Sequence, residues 1–297
     1  MLTNNIYQEE HIPTQFERFW NNFCDNGCGI FGLWCLLLLI LITLTSPWLT
    51  PYQPEAQTGE SLIPPSWHSL GNSEHFMGTD NLGRDILSRL IVGSQLTFGA
   101  AIVITLIAAI IGCSIGILAG MTKGLLSSTL NHLLDTVMSI PSLPLAIIFV
   151  TFLNSNTCNI FFAICLALIP RFARSVYIAM YDEMGKDYVL AARLDGINKF
   201  YLLWHSILPN IFIVLATEIT YALSVAILDI AALGFLGLLG DTKTPTLEWG
   251  SILGDYAEFI YIAPWTVILP GLPIILSVIA VNLTGEGIRE TLSAGVE

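Results

Sequence analysis

Thr97-Phe98-Gly99-Ala100-Ala101-Ile102-Val103-Ile104-Thr105-Leu106-Ile107-Ala108-Ala109-Ile110-Ile111-Gly112-Cys113-Ser114-Ile115-Gly116-Ile117-Leu118-Ala119-Gly120 carries no charged side chain. A helix needs about 20 mostly apolar residues to cross a bilayer, so this stretch reads as a spanning helix. Residues 29–48, 136–153, 211–234 and 264–283 meet the same test. Residues 156–176 form a weaker run, because Arg171 and Arg174 lie in its last third. Both can snorkel toward an interface if that end faces the cytoplasm. The expected fold is all-α, a polytopic bundle of six transmembrane helices. The alternative is five, with residues 158–169 re-entrant.

Composition agrees. The chain is 54% hydrophobic and 11% charged, whereas a soluble domain carries roughly a quarter charged residues. A net charge of −12 excludes a basic nucleic-acid footprint. The first apolar run follows an acidic, amide-rich leader and is too long for a cleaved signal segment. Cys24 and Cys28 precede it; small membrane-edge residues are a simpler reading of that pair than half of a metal site. His11, His68, His75, His132 and His205 are scattered. No phosphate-binding Gly-x4-Gly-Lys-Ser/Thr, Gly-x-Ser-x-Gly or His-Glu-x2-His motif is present.

Basic residues set the orientation. Arg18, Lys123, Arg171, Arg174, Lys186, Arg193, Lys199 and Arg289 fall on one side, and only Arg84, Arg89 and Lys243 on the other. The first side is read as cytoplasmic, with both termini inside. The outer loops add Glu55, Glu60, Glu74, Asp80, Asp85, Asp241, Glu248, Asp255 and Glu258, so the external face is expected to be acidic.

Two polar segments stand out. In the outer loop, Met77-Gly78-Thr79-Asp80-Asn81-Leu82-Gly83-Arg84-Asp85 has glycines that permit tight turns and aspartates that can cap helices. After it, Ile86, Leu87, Leu90 and Ile91 recur at helical spacing, with Arg84 and Arg89 on the polar side. That pattern reads as an interfacial helix leading into the second span. On the cytoplasmic side lies Tyr188-Val189-Leu190-Ala191-Ala192-Arg193-Leu194-Asp195-Gly196, followed by Ser206-Ile207-Leu208-Pro209-Asn210. This amphipathic, helix-prone island holds Lys186, Arg193 and Lys199, and suits a soluble partner.

Gly-Thr-Asp-Asn-Leu-Gly-Arg-Asp at 78–85 resembles the Gly-Thr-Asp-x-x-Gly-Arg-Asp signature of the second permease of dipeptide and oligopeptide ABC importers. The island resembles that family's coupling loop, through Ala191-Ala192-x3-Gly196 and Leu208-Pro209. Asp135 with Ser139-Ile140-Pro141-Ser142, Phe172-Ala173-Arg174, Phe235-Leu236-Gly237-Leu238 and Pro245 with Trp249-Gly250 add to the likeness. Within the family, residues 131–135, 191–196, 227–235 and 294–297 look closest to the C-type permeases of Sap peptide-transport systems. Two departures are Leu190, where the coupling motif usually has an acid, and the glycine-free outer loop 154–159.

The resemblance implies a type I-like importer permease of the bacterial inner membrane. It implies no cofactor on this chain, ATP and magnesium being held by two separate ATPase subunits. The further partners implied are a second permease in a heterodimer, a periplasmic substrate-binding protein and membrane lipid. The implied cargo is peptide, cationic and antimicrobial peptides first; polyamine export, putrescine above all, is the alternative. Ala191, Ala192, Arg193, Gly196, Leu208 and Pro209 become the ATPase-coupling residues. The units expected are a cytoplasmic segment 1–28, a first span with its periplasmic loop 29–96, a five-helix core 97–285 with coupling loop 179–210, and a cytoplasmic tail 286–297.

Glu218 and Asp229 lie in one span, close to three turns apart, with Tyr221 between them on the same stripe. A mid-membrane carboxylate faces a water-filled path or a hydrogen-bonding partner. Either the stripe lines the pathway or it joins helices. A cation-coupled secondary transporter using both acids is the reading from a different class, told apart by ATP dependence. Arg84 and Asp85 likewise either meet a partner or fold the loop.

Overall fold

The computed structural model describes residues 15–122, 125–153, 157–239 and 246–294. Lys123, the 154–156 part of the outer loop, Asp241, Lys243 and Pro245 lie outside the described residues. Five helical stretches are long and apolar enough to cross a membrane, and a sixth crossing is present if one bent helix pair counts as a span.

A short helix, α1 (Gln15–Asp25), leads to the first span, α2 (Gly27–Leu49), whose start is capped by Asn26 accepting from the Gly29 amide at 2.9 Å. Residues 51–85 form a long loop. Then α3 (Ile86–Ser94) continues through a π-helical turn at 95–99 into α4 (Ala100–Met121), giving one 36-residue span. This corrects the interfacial-helix expectation. Arg89, placed on a wet face by the pattern, is fully buried along with Ile86. The loop covers this helix from one side and the segment around Trp249 from another, with Trp249 Nε1 donating to Leu90 O at 2.8 Å. The loop after α2 thus ends at Asp85, where α3 begins.

The third crossing departs most from expectation. The run 136–153 is not one helix: α5 (Leu125–Met138) and α6 (Ser142–Leu153) meet at 88°. Pro141 has no amide to donate and drives Ile140 away from helical backbone, so the chain turns at 139–141. By contrast, α7 (Thr157–Met184) runs 28 residues unbroken through Pro170, so 158–169 is not re-entrant.

Next come α8 (Asp187–Leu194), the single turn α9 (Lys199–Leu202), a π turn at 203–207 and α10 (Leu208–Phe235). From Lys199 to Phe235 the helix is continuous, so most of the 179–210 segment is helical. A short helix, α11 (Trp249–Asp255), folds back on α10, and α12 (Trp265–Ala294) completes the bundle. The expected tail is helical as far as Ala294; residues 295–297 are not described.

Small residues set the closest approaches. A Cβ at Gly112, Gly116 or Gly120 would stand 2.4–2.6 Å from Phe172, Ala173 or Met180 of α7. Four-residue spacing puts these glycines on one α4 face, the seam by which membrane helices pack without a hydrophobic drive. Gly32 plays the same part between α2 and α12, where a Cβ would lie 2.7 Å from the Thr284 backbone.

Candidate functional site

The hairpin between α7 and α10 is built first from apolar side chains. Val176, Met180, Val189, Leu202, Leu203, Ile207 and Ile211 form a buried cluster separate from the main membrane core. Gly196 ends α8 with φ +76°, a left-handed turn that glycine adopts without steric cost. Its added Cβ would meet open space, so backbone conformation, not crowding, requires glycine there. Ala191 is exposed, whereas Ala192 packs on the hairpin's own core. The outward surface is Leu190, Ala191 and Leu194, the last 89% exposed. Leu208 is half-buried, and Pro209, which has no N–H to donate, follows directly on the π turn 203–207 within the continuous helix.

Glu183, which sequence reasoning did not single out, anchors this hairpin. It is 5% exposed in the last turn of α7. Tyr188 Oη donates to its Oε1 at 2.7 Å, Asn210 Nδ2 donates to the same oxygen at 3.0 Å, and Lys186 Nζ lies 2.6 Å from Oε2. One carboxylate thus ties α7 to α8 and α10. Burial and the Glu183 carboxylate push the Tyr188 hydroxyl up, against a smaller pull from Asn210, so it remains a donor.

Deeper in the membrane, Glu218 does not stand alone. Arg171 Nε donates to it at 2.7 Å and Ser175 Oγ at 2.9 Å, and the Arg171 guanidinium lies 3.5 Å from the Tyr221 ring centre. The signal was in the sequence: an arginine in one span and a glutamate in another usually find each other. Arg171 and Tyr221 border a cavity of about 250 Å³ that also touches Ile140, Pro141 and Ser142, so the break in the third crossing opens beside this ion pair. Asp229, two turns beyond Tyr221, is 5% exposed and accepts from Ser142 at the start of α6. Glu218 and Asp229 therefore share a stripe of α10 but have different partners. Arg174 reaches Asp135 at 3.3 Å.

The 78–85 motif folds inward. Gly78 and Gly83 take φ of +82° and +74°. Thr79 Oγ1 donates to Glu60 O at 2.6 Å and accepts from the Ile63 amide. Asp85 caps α3 through the Ser88 amide at 2.8 Å and also holds His75 Nδ1 at 3.0 Å. Asp80, fully buried, receives Arg84 Nε and Tyr256 Oη, both at 2.6 Å. Burial alone would raise the Asp80 carboxyl, but hydrogen bonds from Tyr256 and Arg84 and the Arg84 charge hold it below its ordinary value. Burial pushes Glu248 up against the amides of Gly250 and Ser251, which it accepts while capping α11. Three of the nine acids expected on the outer face, Asp80, Asp85 and Glu248, are therefore interior.

This geometry can be set beside known proteins. A family profile described as "Binding-protein-dependent transport system inner membrane component" matches residues 112–297. A second, "N-terminal TM domain of oligopeptide transport permease C", matches 14–65. The chain is 50% identical over its whole length, and that of the relative, to the "Peptide transport system permease protein SapC" of Salmonella typhimurium. It is 37% identical to the dipeptide transport system permease protein DppC of Escherichia coli K12, covering 98% of this chain and 97% of the other. Among solved structures, an inward-facing MetNI methionine ABC transporter matches with a TM-score of 0.57, 19% identity, 68% of this chain and 96% of that one. That likeness concerns the fold alone.

Proposed function

Because the chain belongs to the family of binding-protein-dependent transport system inner membrane components, we propose that its cytoplasmic hairpin is the contact through which ATP-driven motion reaches a peptide pathway beside α10. The premise makes the chain a multi-pass, non-catalytic inner-membrane permease subunit of the SapC type, and ATP hydrolysis belongs to partner subunits. Beyond the premise, the reading has a second permease completing a heterodimer, both termini in the cytoplasm, and peptides, cationic ones above all, as cargo.

One observation carries the reading. The hairpin has its own buried core, presents Leu190, Ala191 and Leu194 outward, and is tied through Glu183 to two spans. A push on α8 would move α7 and α10 together, and with them the Arg171–Glu218 pair at the cavity. Leu190 stands where relatives by resemblance have an acid, so the contact with the ATPase is apolar on this side.

Ala191→Glu and Gly196→Pro test this in the complete complex in proteoliposomes. A charge forced into a packed contact and a proline where φ is positive should each uncouple hydrolysis from transport. The membrane part should still assemble. Full transport per ATP in both variants would end the reading.

A further inference from the structure

Arg193 and Lys199 differ from the other basic side chains. Arg84, Arg89, Arg171, Arg174, Lys186 and Arg289 each reach a carboxylate. Among the described side chains Arg193 and Lys199 do not, in a chain whose net charge is −12. Arg193 Nη2 donates only to the Met184 thioether at 3.1 Å, a weak acceptor. Of the hairpin carboxylates, Glu183 already has Lys186, Tyr188 and Asn210, and Asp182, Asp187 and Asp195 form no ion pair with either cation among the described residues.

Both cations border one cavity of about 340 Å³, whose other walls are Met121, Met184, Leu202 and Ile207. Met121 ends α4 and Met184 ends α7, so the cavity opens where two spans leave the membrane. Two cations without counter-charges over an apolar floor, at headgroup depth, match a phosphodiester on an acyl chain. An acidic protein surface would match the cations but not the methionine and leucine floor. We propose that this cavity binds the headgroup of an anionic glycerophospholipid, seated beneath the coupling helix. The cavity does not include the Leu190, Ala191 and Leu194 face, and it shares only Arg193 with the residues that the resemblance assigns to coupling. It borrows from the functional reading only the side of the membrane it faces.

Native mass spectrometry of the full complex in mild detergent reads bound lipid directly, whatever the transport activity. Phosphatidylglycerol should bind saturably and phosphatidylcholine should not. Lys199→Gln and Arg193→Gln should each weaken phosphatidylglycerol binding about fivefold, the scale of one basic residue facing an anionic lipid. Lys199 is exposed, so its variant should fold even if the Arg193 variant does not. Equal binding of the two lipids, or unchanged affinity in Lys199→Gln, would overturn the proposal. Displacement of the lipid by glycerol phosphate or inorganic phosphate would assign the site to a soluble anion instead. Loss of the ATPase subunits with lipid retained would turn the cations toward protein. Reversed membrane orientation would be seen separately by cysteine labelling at Ser61 and Ser293, and would leave the lipid result intact.

Discussion

At the scale of single residues, the charges that looked most available for partners turn out to be internal. Asp80 holds Arg84 and Tyr256 and lies 3.7 Å from Arg89, all in a space closed to solvent. Removing one member of a buried charge cluster strands the others, which costs about 3–5 kcal/mol. Asp80→Asn should therefore lower the unfolding temperature of the purified chain clearly, and Glu55→Gln on the same loop should not. The pH sign follows from a lowered carboxyl. Its contribution is present above the ordinary carboxylate range and is lost as pH falls through the depressed value. Acid should therefore destabilise the native chain and narrow its gap to Asp80→Asn. A gap constant down to strongly acidic pH would mean that Asp80 is not the ionised partner. Glu183 is a second such residue. Asn210→Leu removes its tie to α10 while leaving Lys186 and Tyr188 in place. Transport per ATP should fall about fivefold, the scale of one net hydrogen bond, with assembly intact by co-purification.

At the scale of elements, the spans were legible because a bilayer demands long apolar runs, and the hairpin because its motif is polar where its neighbours are not. What was not legible is instructive. The 136–153 run has the composition of a span, and composition does not record that Pro141 breaks it. The helix at 86–94 looked interfacial because periodicity assigns a polar face to water, whereas here that face is covered by other parts of the chain. Arg89 is thus buried against the pattern. The glycine seam was written at four-residue spacing in α4. Gly116→Leu tests it: a Cβ there already stands 2.6 Å from Ala173 O. Overpacking of a closed seam costs typically 1–3 kcal/mol or more. Expression in the membrane and thermal stability should both drop, while Leu118→Ala, on the exposed side of α4, should be tolerated.

At the scale of the whole molecule, the charge pattern bears on cargo in a way the sequence only half expressed. The sequence offered two sources of negative charge, the Glu218 and Asp229 stripe and nine acids expected on the outer face. In the folded chain Glu218 is matched by Arg171, and three outer acids are interior. The outer basic residues Arg84 and Arg89 are interior as well. Glu55, Glu60, Glu74, Asp255 and Glu258 remain exposed, and among the described residues no exposed outer cation opposes them. A surface of one sign concentrates opposite charge and raises encounter rates, most at low salt. Replacing Glu55, Glu60 and Glu74 together by Gln should therefore slow uptake of cationic peptides more than of neutral ones, and the difference should shrink as salt is added. Glu218→Gln weakens a contact to Arg171 that every cargo depends on alike, so it should reduce both classes equally. The two variants are measured against each other in the reconstituted complex. If Glu218→Gln proves selective and the outer triple variant does not, the discrimination lies at the cavity beside the broken third crossing rather than at the mouth.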